Sequence, residues 1–232
     1  MGITEHIFEV RHEALAKFLD IKGSIADDIK KRDLFSFWKI QENVISFSDQ
    51  KDFITKDAGA TVTYDRICFF AYKAVSDGNF RKNAINFLCE LNKCKPYAVP
   101  PLTRFGLRIK SFIPATNMSF EEIYKCIATN LLNDKYTSIL GEKQRDIHLT
   151  FEFEEKEFQV RAMIGPLKSD EAERHFRFKD EAFKENGLYV DVDYFKTGQF
   201  KYHDVKPMLE KATELAKKRI QQIADTILKK PL

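Results

Sequence analysis

A chain of 232 residues, 44% of them hydrophobic, is long enough to bury a core that needs no disulfide or metal staple. Its 38 basic and 35 acidic residues leave a net charge of only +3, which argues against a dedicated DNA-binding surface spread over the whole molecule. Four cysteines, Cys68, Cys89, Cys94 and Cys126, are too few and too scattered for a disulfide framework, and the step from Cys89 to Cys94 does not suit a zinc knuckle, so they read as reduced and structural. No apolar run approaches the roughly 18 to 20 residues that cross a bilayer, and the N-terminus has no charged region leading into an apolar one. A cytoplasmic protein with no membrane contact is the expectation. His6 stands where a myristoylation signal would carry Ser or Thr.

The first twelve residues alternate, with Ile3, His6, Phe8 and Val10 among Glu5, Glu9 and Arg11, and predict a partly amphipathic strand. Ile25 to Lys31 predicts one or two helical turns, and Leu34 to Ile40 and Val44 to Phe47 predict two strands joined across Gln41 to Asn43. Ser48 to Gly59 is polar and reads as a loop. Ile67 to Tyr72 is apolar on both faces, which places that strand in the centre of a sheet. A helix opening near Asp77 repeats Phe80, Ala84, Phe87 and Leu91 at helical spacing, with Pro96 as its stop. A strand over 103–113 follows and ends at Pro114. Ser119 and Glu122 then form a capping box, flanked by Met118 and Ile123 as a staple, before a helix buried on Ile123, Ile127 and Leu131.

Strict alternation over 147–153 and 158–164 predicts an antiparallel hairpin turning near Glu155 and Lys156. Pro166 to Asn186 is densely charged and reads as a mobile flap or a short exposed helix. Leu188 to Phe195 is the next strand, and a helix from Val205 to Leu228 closes the chain, roughly 36 Å long at 1.5 Å per residue. Strands and helices in this order show no β-α-β rhythm. They predict an α+β fold: a mostly antiparallel sheet, rich in the 21 phenylalanines, with helices on one face and a long C-terminal helix. One α+β domain over 1–232 accounts for this, or two packed halves, 1–98 and 99–232.

The chain shows no nucleotide loop, metal-ligand cluster or nucleophile triad, so no cofactor is assigned and no catalytic residue is named. The most distinctive constellation pairs two strands. Arg104, Arg108 and Lys110 share one face, as do Asp191 and Asp193, so cations and carboxylates can meet across a sheet. Such a ladder most often only sets register; its functional form is a phosphate or anion site on the cations, or a Mg²⁺ site on the two carboxylates. Asp191 and Asp193 do not make a nucleotidyltransferase, because the Gly-Ser turn such enzymes need lies far off at Gly23 and Ser24. The alternation of Glu9, Arg11 and Glu13, with Glu152 and Glu154, superficially suits a triphosphate-tunnel barrel, but the Glu-x-Glu-x-Lys of that class is absent. The five histidines, His6, His12, His148, His175 and His203, are isolated and read as surface or capping residues.

Residues 201–232 carry eight Lys or Arg against four acids, concentrated at Lys217, Lys218, Arg219, Lys229 and Lys230. With Arg174, His175, Arg177 and Lys179 they form the candidate nucleic-acid contact, although a basic stripe interleaved with apolar residues is more often a solvated face.

Arg104, Gly106, Leu107 and Arg108 in one strand, Asp191 and Asp193 in a later one, and a long terminal helix after both resemble a sporadically distributed bacterial family of domain-sized chains, about 250 residues. That family repeats an Arg-x-Gly-Leu-Arg strand and a Leu-Asp-x-Asp-aromatic strand in this order, and the resemblance covers the C-terminal half. Here the first motif continues Ile109, Lys110, Ser111, where the family tends to aromatic, aliphatic and Asn residues. The resemblance implies a bacterial protein in variable gene neighbourhoods and a defence-related setting, and it supplies no activity. The reading that follows is a cytoplasmic binding or accessory protein acting through a protein partner. Its alternatives are an enzyme or sensor of a nucleotide or phosphorylated ligand, and a nucleic-acid-binding protein using the basic terminal helix.

Overall fold

A computed structural model describes residues 2–51, 57–73, 77–95, 97–132, 139, 146–169 and 171–228. Part of the expected 48–59 loop, Pro96 as a helix stop, and Lys229 and Lys230 lie outside these. Nine strands form one antiparallel sheet: β1 (Ile3–His12), β2 (Phe37–Ile40), β3 (Val44–Ser48), β4 (Ala58–Thr63), β5 (Arg66–Tyr72), β6 (Leu102–Pro114), β7 (Leu149–Glu155), β8 (Phe158–Leu167) and β9 (Gly187–Phe200). Their order is β2-β3-β4-β5-β1-β6-β9-β8-β7. The helices are α1 (Phe18–Lys31), α2 (Asp77–Asn92), α3 (Phe120–Leu131), the short α4 (Ala172–His175) and the terminal α5 (Val205–Leu228). The α+β class, the antiparallel sheet, the aromatic core and the long last helix are all present. Among the described residues, no helix is long and apolar enough to cross a membrane.

Two compact units divide the chain. One comprises Met1–Thr4, Ile109–Asp193 and Glu214–Leu232; the other comprises Glu5–Arg108 and Tyr194–Thr213. In the second, β1 and β5 pair with Phe8 opposite Phe69 and Val10 opposite Ile67, and β5 and β4 pair with Phe69 opposite Ala60. Directly opposed residues share a face, so these apolar residues line one side while Glu9, Arg11, Arg66 and Thr61 line the other. On the apolar side Phe35, Phe47, Phe69 and Phe87 interlock, with Phe87 5.6 Å from Phe35, 5.8 Å from Phe47 and 6.2 Å from Phe69 between ring centres. Helix α1 starts seven residues earlier than periodicity alone predicts. Phe18, Ile25, Ala26 and Ile29 form its buried stripe, while Gly23 points into open space, where its conformational cost is offset by burial on the opposite side.

In the first unit, β7 and β8 form the expected hairpin, with Lys156 in the left-handed region at φ 59° in its two-residue turn. Ser119 caps α3 by accepting from the Glu122 amide, while the Glu122 carboxylate accepts from the Ser119 amide. The 167–186 segment departs from expectation. It is not a flap: Leu167, Ala172, Phe176 and Phe183 are buried against Phe112 of β6 and Tyr189 of β9. Phe183 meets Phe112 edge-on at 5.4 Å and stacks on Phe176 at 5.1 Å. These four apolar residues, dispersed among charges, hold this cap down, and local charge density conceals them in the sequence.

Candidate functional site: a charged sheet face

In the second unit the strand face opposite the aromatic core carries a convergent set of arginines. Glu9 of β1 is at its centre. Its Oε1 accepts from Arg104 Nη1 of β6 at 2.8 Å and from Arg11 Nε of β1 at 2.8 Å, and its Oε2 lies 3.6 Å from Arg66 Nη1 of β5. Three strands thus bring three guanidinium groups to one carboxylate. The Arg104 guanidinium also sits over the Phe195 ring, 5.0 Å from its centre. Gly106 leaves room for it, since a Cβ there would come within 3.1 Å of Arg104 Nη1. The Arg-x-Gly spacing of β6 therefore has a local physical reason: the small residue lets the arginine two positions earlier on the same face fold along its own strand.

Glu9 is largely covered, with 17% of its side chain exposed, whereas Arg11 and Arg66 remain 46% and 43% exposed. A guanidinium has five N–H donors, and Glu9 uses few of them. Arg11 and Arg66 therefore present guanidinium edges to solvent beside Glu9, a donor type suited to a flat, oxygen-rich anion. Arg108, on the same strand parity, is exposed.

The other predicted ligand residues lie in the first unit. Lys110 is 9% exposed and Asp191 4% exposed, on the face under the cap. The Lys110 ammonium donates to the His175 carbonyl oxygen at 3.1 Å, and Tyr189 Oη donates to Asp191 Oδ2 at 3.1 Å. Asp193 is half-buried. His175 packs on Tyr189 at 5.0 Å, and burial, then the charges of His148 and Lys110, lower its pKa below the ordinary value. Lys110 thus ties the 167–186 segment to β6, a role in holding the cap rather than in presenting charge to solvent.

The basic surface residues are dispersed. Arg174 and Arg177 are exposed on and beside α4, and Lys218 is exposed on α5 with Lys217 half-buried. Arg219 is engaged inward: it donates to Glu155 Oε2 at 3.0 Å and covers the Phe153 ring at 5.2 Å. Its guanidinium holds α5 on β7, which removes it as a free phosphate contact. Glu9, Arg11 and Arg66 were the missed members of the arginine cluster. Their only sequence signal is the same-face parity of Glu9 and Arg11.

Two histidines depart from the surface expectation: His6 and His12 are 1% and 3% exposed. His12 Nδ1 donates to the Glu13 carbonyl oxygen at 2.7 Å, which in the neutral ring leaves Nε2 to accept from Tyr97 Oη at 2.8 Å. Burial is the main cause lowering the His12 pKa below 6.5. Burial also raises Tyr97, helped by the Asp65 charge. Since the folded state binds the His12 proton less well than the unfolded chain, this contribution to stability is complete above about pH 6.5 and declines as pH falls below it. The denaturant midpoint is therefore expected to drop between pH 7.5 and 5.5, and His12→Gln to lower stability at pH 7.5 while flattening that drop. An unchanged pH slope in the variant would remove His12 from this role.

The chain matches no family model, and no curated protein matches it significantly.

Proposed function

We propose that this α+β chain is a binding protein of the bacterial cytoplasm that holds a phosphate-bearing anion on the charged sheet face formed by Arg11, Arg66 and Arg104. One observation carries this reading: three guanidiniums from three strands converge on the single carboxylate of Glu9. Glu9 orients the cluster, so an arriving phosphate meets preplaced donors. Equilibrium binding of ATP and of inorganic pyrophosphate, at low and moderate salt, tests it. Saturable binding is expected, with Arg11→Glu and Arg66→Glu each weakening it about tenfold, or about 1.4 kcal/mol. Absence of saturation, or charge reversals without effect, sinks the proposal. Binding confined to long single-stranded oligonucleotides with a steep salt dependence would move the ligand to nucleic acid.

A partner-dependent role is favoured by one further observation. Trp38 is 39% exposed on β2, an edge strand of the sheet, where an incoming chain can add a strand and cover an aromatic side chain. Affinity purification from the host with the wild-type chain and Trp38→Arg tests that reading through the loss of a stoichiometric partner.

A further inference from the structure

Helices α2 and α5 flank a cleft in the second unit of about 380 Å³, within the roughly 300–1,000 Å³ range of small-molecule sites. The α2 wall is one helical stripe, Arg81, Lys82, Ile85 and Cys89, and the α5 wall is Lys206 and Leu209, one turn apart. Leu209 is fully buried and Ile85, Cys89 and Arg81 are half-buried, while Lys82 and Lys206 are exposed, so two cations stand at the solvent edge of an apolar strip. Gly78, in the first turn of α2, also lines the cleft and adds no side chain to it. Glu210 is the one carboxylate among the lining residues, so three cations outnumber it.

Two amphipathic helices side by side ordinarily carry charged residues above an apolar seam, and here they also leave a cleft of ligand size between them. That combination matches a ligand with an anionic head and an apolar body, because the apolar strip gains from dehydrating hydrocarbon while Lys82 and Lys206 neutralise the head in a partly dehydrated setting. We propose that the α2–α5 cleft is a second ligand site, for a small amphipathic anion such as a medium-chain carboxylate or an alkyl phosphate. It shares no residue with the arginine cluster around Glu9, so its success or failure is independent of that site.

Cys89 supplies a reporter, because it lines the cleft, which Cys94 and the equally half-buried Cys68 and Cys126 do not. The experiment titrates the full chain with decanoate, decyltrimethylammonium and inorganic phosphate. It follows binding calorimetrically and the rate of Cys89 alkylation by iodoacetamide, with Cys89→Ser identifying the labelled site. Decanoate is expected to bind at one site and slow Cys89 alkylation at least about fivefold, and Lys206→Glu to weaken it about tenfold, as loss of one charge-assisted contact implies. Lys206 is exposed, so folding of the variant is checked by its unchanged thermal midpoint; Lys82→Glu repeats the test from the other wall. Equal binding of decanoate and decyltrimethylammonium, equal binding by the charge-reversed variants, or unprotected Cys89 overturns the proposal. Protection by inorganic phosphate alone at the same concentration also overturns it, since the apolar strip would then contribute nothing.

Discussion

Phe87→Ala lowers the free energy of unfolding by about 3–5 kcal/mol, the range for truncating a fully buried aromatic side chain. Phe87 is 1% exposed and touches Phe35, Phe47 and Phe69. Removing it deletes three ring contacts and leaves a void that the facing rings cannot fill without abandoning their rotamers, because they lean on one another as well as on Phe87. For a chain of this size the thermal midpoint is expected to fall on the order of 10 °C. Phe87→Leu, which retains most of the volume, is expected to cost less than half as much. Equal losses for the two variants would show that the ring geometry contributes little. A near-neutral Phe87→Ala would show that this cluster is not the core of its unit.

Gly187→Ala is expected to destabilise the first unit by about 1–3 kcal/mol and to loosen the 167–186 segment, although it adds only a methyl group. A Cβ at Gly187 would stand 2.5 Å from Phe112 Cε2 and Cζ and 2.7 Å from the Ile113 carbonyl oxygen. The Phe112 ring cannot withdraw, for it is fully buried and wedged edge-on against Phe183. Relief must come from the cap, where Phe176 and Phe183 rest on that ring and on Tyr189. Amide exchange should therefore accelerate over 172–184 in Gly187→Ala, with smaller changes elsewhere. Gly23→Ala is the matched control: its Cβ would meet nothing, and it should stabilise α1 by about 0.5–1 kcal/mol. A Gly187→Ala variant with unaltered exchange in the cap would mean that Phe112 is not what holds it.

The charged face has a related consequence for Gly106. Ordinary β-propensity disfavours glycine in mid-strand, yet here it opens the space into which Arg104 folds. The two arginines of the Arg-x-Gly-Leu-Arg strand then differ in situation, Arg104 packed on Phe195 and bound to Glu9, Arg108 exposed.

Elements whose physics is local were legible in the residues alone. The capping box at Ser119 and Glu122 closes within four residues, the β7–β8 hairpin is recorded by strict alternation, and the stripe of α5 repeats every turn. The antiparallel α+β class followed from their order. What the residues could not disclose was which strands become neighbours. β1 lies between β5 and β6, which carries Glu9 to Arg66, some 57 positions along the chain, and to Arg104, 95 positions along. Alternation records the face a side chain takes but not the strand it will meet, because pairing is decided by the burial of whole faces at long range. For the same reason Lys110 and Asp191, which look in sequence like half of a solvent-facing ladder, end beneath a cap whose apolar anchors carry no periodic signal of their own.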